Sequence, residues 1–186
     1  MKTHVIKKSV ELICGMNKTT YHSQFFTATI QGWKHLLKPD KYKDILVESF
    51  RFLVREQRLS INAFVIMSNH LHTIWQIEEG HELDEVQRDF LKFTAQQIKL
   101  DLTINHPKVL QHFRKNGSDR EYQFWKRKSL SVDLYTEAVL LQKLNYIHLN
   151  PVKAGLCELP EDYHYSSAKF YYSGADDFGF LTHYSG

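Results

Sequence analysis

The amino-acid sequence predicts an α+β fold in which helices pack on an antiparallel sheet. Segments rich in β-branched and aromatic residues alternate with longer segments whose apolar residues recur at helical spacing. Two of the β-like segments are separated by only two turn-forming residues, which is typical of a hairpin and therefore of antiparallel pairing. The chain has 186 residues, a length that suits one domain of ordinary size.

The first half of the chain predicts three strands and one helix. The strands are rich in aromatic and β-branched residues, and Ser68-Asn69 joins the last two into the hairpin. The helix opens after Pro39 and carries apolar residues every three or four positions. The predicted bounds are 25–30, 61–67 and 70–77 for the strands and 42–57 for the helix.

The second half predicts a long amphipathic helix, a short helix within a loop, a strand and a final helix. Thr136 is a favourable N-cap for the final helix, because its hydroxyl can accept a hydrogen bond from the first turn. Pro151 disfavours helical geometry at Asn150 and should end or kink this helix. Alternatively, Asn150 caps a new turn that begins at Pro151 and stops at Gly155. The predicted bounds are 83–102, 107–115 and 130–135, followed by a helix through Leu140, Leu144 and Ile147.

Composition excludes several classes of protein. Hydrophobic residues make up 42% of the chain, with only eight Gly and four Pro, which argues against a disordered or fibrous protein. The two cysteines, Cys14 and Cys157, are too few for a disulfide framework and indicate free thiols in a reducing compartment. No apolar run approaches the roughly 18 residues of a membrane span, and the charged N-terminus is unlike a signal peptide. We therefore expect a cytoplasmic protein with no membrane partner.

The sequence His70-Leu71-His72 is a candidate metal site. Residues i and i+2 of a strand share one face, so both imidazoles would project from the same side of the sheet. Two neutral imidazoles placed in this way can hold a divalent metal. The alternative is a pair of polar residues on a solvated strand face, because the chain contains 11 histidines.

Tyr146 and Asn150 form a second candidate constellation. Four residues apart on a helix, they share one face. A tyrosine hydroxyl can act as a nucleophile, and an amide oxygen can ligate a metal. His148 lies about 200° around the helix from Tyr146 and should face elsewhere. The alternative is that Tyr146 is a packed aromatic residue and that Asn150 only caps a turn.

The net charge of +3 is too small to identify a partner, but its distribution is uneven. Residues 108–128 hold seven basic and two acidic residues, interleaved with aromatic ones. Basic groups next to stacking platforms suit single-stranded nucleic acid. A solvated basic loop with Phe124 and Trp125 in the core is the alternative. The residues predicted to contact DNA are Arg114, Lys115, Trp125, Lys126, Arg127 and Lys128.

Three segments together resemble the single-tyrosine transposases with a His-hydrophobic-His motif, and most closely their REP-associated subgroup. They are residues 64–75 around the histidine pair, 124–127 in the basic stretch, and 146–156 from Tyr146 onward. Residues 162–168 also resemble the segment that follows in this subgroup. The order of the segments carries the resemblance, which covers roughly residues 20–172.

The resemblance implies a ferredoxin-like or RRM-like α+β domain that cuts and rejoins single-stranded DNA next to an imperfect hairpin. Carried over by position, His70 and His72 are metal ligands, Asn150 is the third ligand and Tyr146 is the nucleophile. The expected cofactor is Mg²⁺ or Mn²⁺, of which Mn²⁺ matches imidazole better. The expected intermediate is a 5′-phosphotyrosine. The resemblance leaves open whether the chain acts as a monomer or a homodimer.

The same resemblance predicts an N-terminal extension at 1–20, a transposase domain at 21–172 and a C-terminal tail at 173–186. The chain departs from the family at Ser68, where proline is frequent, and in a longer insertion at 103–123. Two other functions stay open at this point. One is a non-catalytic regulator that binds hairpin DNA or RNA, and the other is a purely structural protein, which would bury Tyr146 far from both histidines.

Overall fold

The computed structural model describes residues 22–115 and 121–184. Within these residues, five helices pack on a four-stranded antiparallel sheet with the strand order β2-β3-β1-β4. This order is that of a ferredoxin-like sheet, as expected. The strands are β1 (Gln24–Thr29), β2 (Leu59–Ile66), β3 (His70–Ile77) and β4 (Leu130–Asp133). The helices are α1 (Asp40–Arg55), α2 (Leu83–Asn105), α3 (Pro107–Gln111), α4 (Glu137–Lys153) and α5 (Ala168–Ser173).

The β2–β3 hairpin sets the register of the sheet. Its tight turn closes with a hydrogen bond of 2.8 Å from the Met67 N–H to the His70 carbonyl. An irregularity at Asn62 inserts one extra residue into β2, so that Ile61 pairs with Trp75 while Ala63 pairs with Ile74. A bulge of this kind turns the following residues to the opposite faces of the sheet.

Helices cover both faces of the sheet. On one face, α1 and α2 bury large side chains against the strands, including Phe50, Phe90 and Trp75. On the other face, α4 packs over a smaller apolar cluster that includes Phe25 and Ile74, and Tyr171 of α5 packs against the same cluster. The functional consequence is that α4 lies directly above the face on which alternate residues of β1 and β3 project.

A C-terminal segment covers the outer edge of β2. The Ile66 N–H donates to the Tyr165 carbonyl at 2.9 Å, and the Thr182 N–H donates to the Ile61 carbonyl at 2.9 Å. These bonds pair backbone groups that an edge strand would otherwise leave open to another chain. Phe178 and Phe180, from the predicted C-terminal tail at 173–186, pack on the core.

Helix α4 continues through Pro151, which corrects the prediction of a stop or kink at Asn150. Its buried residues Leu140, Leu144 and Ile147 hold it on the sheet, and Pro151 extends this stripe by one turn. The helix ends at Lys153, and Gly155 just beyond the C-cap has a φ of 68° that suits a glycine. There the Leu156 N–H donates to the Pro151 carbonyl and the Gly155 N–H to the Val152 carbonyl. The predicted stop at Gly155 is therefore confirmed, whereas packing outweighs the lost hydrogen bond at Pro151.

The other predicted elements are confirmed with shifts of a few residues at their ends. The largest shift is in the short helix predicted at 107–115, which ends at Gln111. The predicted extension at 1–20 lies outside the described residues, as does part of the basic stretch. None of the helices in the described ranges is long and apolar enough to cross a membrane.

His148 ties α4 to the C-terminal segment. Its Nε2 lies 2.9 Å from the Ser167 hydroxyl, and its ring centroid lies 5.2 Å from that of Tyr171. Ser167 in turn bonds the backbone of Phe64 in β2. Burial lowers the pKa of His148 to about 4. The imidazole is therefore neutral in the folded protein at neutral pH, and it faces away from Tyr146 as expected.

We expect the free energy of unfolding to fall as the pH drops from about 6.5 to about 4. In this range the unfolded chain protonates His148, whose ordinary pKa is near 6.5, while the folded chain keeps it neutral. Urea denaturation at a series of pH values measures the effect. His148→Gln should lose less stability across this range than the wild type, whereas the exposed His112→Gln should follow the wild type. A His148→Gln curve parallel to that of the wild type would contradict the assignment.

Candidate active site

Strands β1 and β3 place both histidines of the His70-Leu71-His72 motif under α4. Thr29 pairs with His70 and Thr27 with His72 in the antiparallel register. Leu71 points into the opposite core and is fully buried, as the strand period requires. The two imidazole centroids lie 4.8 Å apart. The predicted strand therefore brings the two rings together on one face.

His72 is buried and oriented by its neighbours. It is only 6% exposed, and its ring stacks on Phe25 with 5.3 Å between centroids. Its Nδ1 lies 2.7 Å from the Thr27 hydroxyl, while its Nε2 has no partner within the described part of the chain. A buried polar atom without a partner is costly, and a ligand bound to Nε2 would remove this cost. The Thr27 contact leaves Nε2 as the nitrogen that points toward such a ligand.

His70 is half-buried and lies between two asparagine side chains. Its Nδ1 is 2.7 Å from Asn69 Oδ1, and the side chain of Asn150 on α4 is near enough to oppose the lowering of its pKa by burial. Helix and strand therefore meet at this residue. The structure brings the three predicted ligands His70, His72 and Asn150 to one place.

Both histidines are neutral at neutral pH. Burial is the main cause that lowers the pKa of His70, and the Asn150 hydrogen bond opposes it. Burial also lowers the pKa of His72 to about 3, with smaller contributions from His70 and Lys143. Neutral imidazoles are the form that ligates metals.

Helix α4 presents Tyr146 to the histidine pair. The centroid of its ring lies 5.1 Å from that of His72 and 6.1 Å from that of Phe25. Tyr146 is 42% exposed, so a ligand that reaches the histidines can also reach its hydroxyl. This position does not fit the purely structural alternative, which required a buried tyrosine far from both histidines.

Two lysines on the same face of α4 were not predicted as site residues. Lys153 Nζ lies 5.9 Å from the centroid of Tyr146, and Lys143 Nζ lies 4.9 Å from that of Phe25. Their spacing of three and seven residues from Tyr146 is the signal that could have identified them, because such positions share a helix face. The face therefore offers positive charge on both sides of the tyrosine.

The donor set fits a divalent cation with mixed nitrogen and oxygen ligands. His72 Nε2 is unpartnered, and the imidazole of His70 and the amide of Asn150 lie beside it. Among the described residues no group of three or more His, Cys, Asp or Glu could hold a metal. The amide of Asn150, which lies beside His70, is the candidate for a third ligand. Such a set leaves coordination positions open for phosphate and water.

The predicted DNA-binding residues fall into two groups. The first group lies beside the end of β1, where the Lys126 N–H donates to the Thr29 carbonyl at 2.8 Å. It consists of Lys126, Arg127 and Lys128. Arg114 and Lys115 lie in a separate turn, where their side chains meet Glu121 and Gln123 respectively.

Trp125 does not occupy the surface position that stacking on a base requires. Its residue is 7% exposed, and its indole N–H donates to the Thr94 hydroxyl at 3.1 Å. Phe124 next to it is also buried. The alternative that both residues belong to the core describes them correctly, because their apolar rings fill the space between β1 and α2.

Comparison with known proteins finds two curated relatives of similar sequence. No family model matches the chain. It is 32% identical over 106 residues to a Haemophilus influenzae protein named as a candidate REP-associated tyrosine transposase. It is also 23% identical over 143 residues to the REP-associated tyrosine transposase of Escherichia coli K12. The chain is similar in sequence to REP-associated tyrosine transposases. The alignments cover 56% and 74% of these two relatives, so the chain matches little more than half of the first.

A solved REP-associated tyrosine transposase supports the fold. The structure of such a protein bound to a REP hairpin superposes with a TM-score of 0.60 at 19% identity. The match covers 88% of this chain and 89% of that chain. The likeness therefore supports the α+β fold over most of the chain.

We expect Thr27→Val to weaken binding of Mn²⁺ by about 10- to 100-fold, because the hydroxyl that orients His72 is lost while the side-chain shape is kept. Titration of Mn²⁺ followed by electron paramagnetic resonance of the free ion measures this. Thr27→Ser, which retains the hydroxyl, is the matched control and should bind as the wild type does. Equal affinity for Thr27→Val and the wild type would show that this contact does not orient a ligand.

Proposed function

We propose that the chain is a metal-dependent transposase that cleaves and rejoins single-stranded DNA at hairpin-flanked sites through a 5′-phosphotyrosine. The observation that carries the proposal is the position of Tyr146 above the buried histidine pair of the same chain, with 5.1 Å between the ring centroids of Tyr146 and His72. Sequence similarity to REP-associated tyrosine transposases supports it. The mechanism follows from the chemistry of these side chains.

His70, His72 and Asn150 would hold Mg²⁺ or Mn²⁺. When bound, the ion would neutralise the negative charge of the scissile phosphate and orient it. Thr27 keeps His72 in the orientation that directs Nε2 toward the site. Phe25 and the surrounding core exclude water from the other side of the His72 ring. Lys143 and Lys153 add positive charge where the DNA backbone enters.

Tyr146 is the proposed nucleophile. Its hydroxyl oxygen attacks the phosphorus, the bond between this oxygen and phosphorus forms, and the bond from phosphorus to the 3′ oxygen breaks. The tyrosine proton leaves, and the departing 3′ oxygen takes up a proton to become a 3′-hydroxyl. The phosphotyrosine retains the energy of the phosphodiester, so attack by another 3′-hydroxyl rejoins the DNA without ATP.

The proposed partner is DNA that folds into a hairpin beside unpaired nucleotides. The solved relative is described as bound to a REP hairpin. In this chain the exposed Arg127 and Lys128, with Arg114, supply charge for stem phosphates. The second candidate function is a regulator that binds the hairpin without cleaving it. It is disfavoured by the joint presence of His70, His72, Asn150 and Tyr146, because a protein that only binds needs none of them.

The covalent intermediate gives the direct test. Wild-type protein with Mn²⁺ and hairpin DNA should form an adduct that resists denaturing electrophoresis, because the phosphotyrosine bond is covalent. Tyr146→Phe should form none, and its affinity for the hairpin should stay within about twofold. Formation of an adduct by the Tyr146→Phe protein would contradict the assignment of Tyr146 as the nucleophile. Tight hairpin binding with no adduct in either Mg²⁺ or Mn²⁺ would favour the regulator.

A mixing experiment tests whether one chain builds the complete site. Tyr146 and His72 of the same chain are adjacent, so we expect an equimolar mixture of Tyr146→Phe and His70→Ala proteins to stay inactive. Adduct formation is again the measurement. A control mixture of wild type and Tyr146→Phe should retain the activity of its wild-type fraction. Recovery of adduct in the first mixture would mean that a homodimer shares residues between chains.

A further inference from the structure

Trp33 is an exposed tryptophan on a turn that directly follows β1. The residue is 56% exposed, in contrast to Trp75 at 0% and Trp125 at 7%. A large apolar side chain on the surface gains nothing from the hydrophobic effect until something covers it. Because β1 ends opposite His70, the turn lies at the same end of the sheet as the proposed active site.

The backbone of this turn is held in an unfavourable conformation. Gly32 and Trp33 both have positive φ values, 69° and 56°. The left-handed region is costly for a residue with a side chain, and such strain concentrates at functional sites. The conformation is maintained by hydrogen bonds from the Ile30 N–H to the Asn69 carbonyl at 2.8 Å and from the Gln31 N–H to the Phe124 carbonyl at 2.6 Å. The turn is therefore bound to the β2–β3 hairpin and to the basic segment at once.

The ring of Trp33 lies between a cation and the histidine pair. Lys126 Nζ sits 4.1 Å from its centroid, a cation–π distance. The ring of His70 lies edge-on at 6.2 Å between centroids. Trp33 and Lys126 therefore place an aromatic surface and a positive charge directly beside the proposed metal ligands.

We propose that Trp33 stacks on an unpaired base next to the scissile phosphate, and that Lys126 pairs with a neighbouring phosphate. The inference rests on the proposed function and assigns the stacking role that the buried Trp125 cannot fill. Base–aromatic stacking with an adjacent cation is the usual means of holding single strands. The ring centroids of Trp33 and His70 are 6.2 Å apart, so a base stacked on Trp33 would lie close to the proposed site of cleavage.

Intrinsic fluorescence reports on this contact. The chain has three tryptophans, and Trp33 alone among them is exposed. A stem–loop DNA with an unpaired thymidine tail should quench the emission of the wild-type protein, because the stacked base contacts the excited indole. Trp33→Phe should lose the quenching while retaining most of the affinity, since phenylalanine also stacks. Binding measured by anisotropy without any quenching of the wild type would overturn the proposal.

Affinity measurements separate stacking from charge. Trp33→Ala should weaken binding of the tailed stem–loop about 5- to 100-fold, the range expected for one lost base–aromatic stack. On a stem–loop whose tail consists of abasic nucleotides, Trp33→Ala and the wild type should bind equally. Phe52→Ala is the matched control, because Phe52 is 47% exposed and Arg55 lies 5.4 Å above its ring on α1. This control should bind both DNAs as the wild type does.

The remaining outcomes distinguish the two proposals. Equal affinity of Trp33→Ala and the wild type for the thymidine tail would overturn the stacking role. The same holds if Trp33→Ala weakens binding of the abasic tail as strongly as that of the thymidine tail. In either case, a normal Tyr146 adduct in the Trp33→Ala protein at saturating DNA would leave the proposed function intact. Loss of the adduct in the wild type itself would instead remove the proposed function.

Discussion

The packing of α4 on the open face of the sheet is the constraint on which the candidate site depends. Leu140, Leu144 and Ile147 anchor the helix over Phe25 and its apolar neighbours. A partial rotation of the helix about its axis, or a shift along the sheet, would separate the tyrosine from the histidines even if every strand stayed in place. The candidate site is therefore a property of a helix–sheet interface, and its geometry is set by the apolar side chains that hold α4 on the sheet.

Pro151 shows how this interface is maintained at the end of α4. A proline inside a helix removes one hydrogen bond, at a cost of about 3 kcal/mol in an exposed helix. Here the ring is buried, and the turn that contains it places Asn150 beside His70. Gly155 then stops the helix in a conformation that suits glycine. Pro151, which sequence rules treat as a helix breaker, thus helps to position the proposed metal ligand Asn150.

The order of elements and the pairing of His70 with His72 could be predicted, because strand and helix periods are local properties of the chain. What local rules could not predict arises from distant contacts. The extra residue at Asn62 depends on pairing with β3, and the burial of Trp125 depends on space left by α2. Local sequence rules do not identify Trp33 as a candidate site residue, because its neighbours His70 and Lys126 are far away in sequence.

The covered edge of β2 has a consequence for the order of folding. The backbone of Ile61 and the side chain of Asn62 both bond Thr182, about 120 residues later in the chain. Contacts across such a separation close late, because the intervening chain must first be synthesised and ordered. A nascent chain that stops before Tyr165 would display a bare strand edge at the side of its sheet. Such an intermediate is open to pairing with a second chain, which makes synthesis of the C-terminal segment a protection against aggregation.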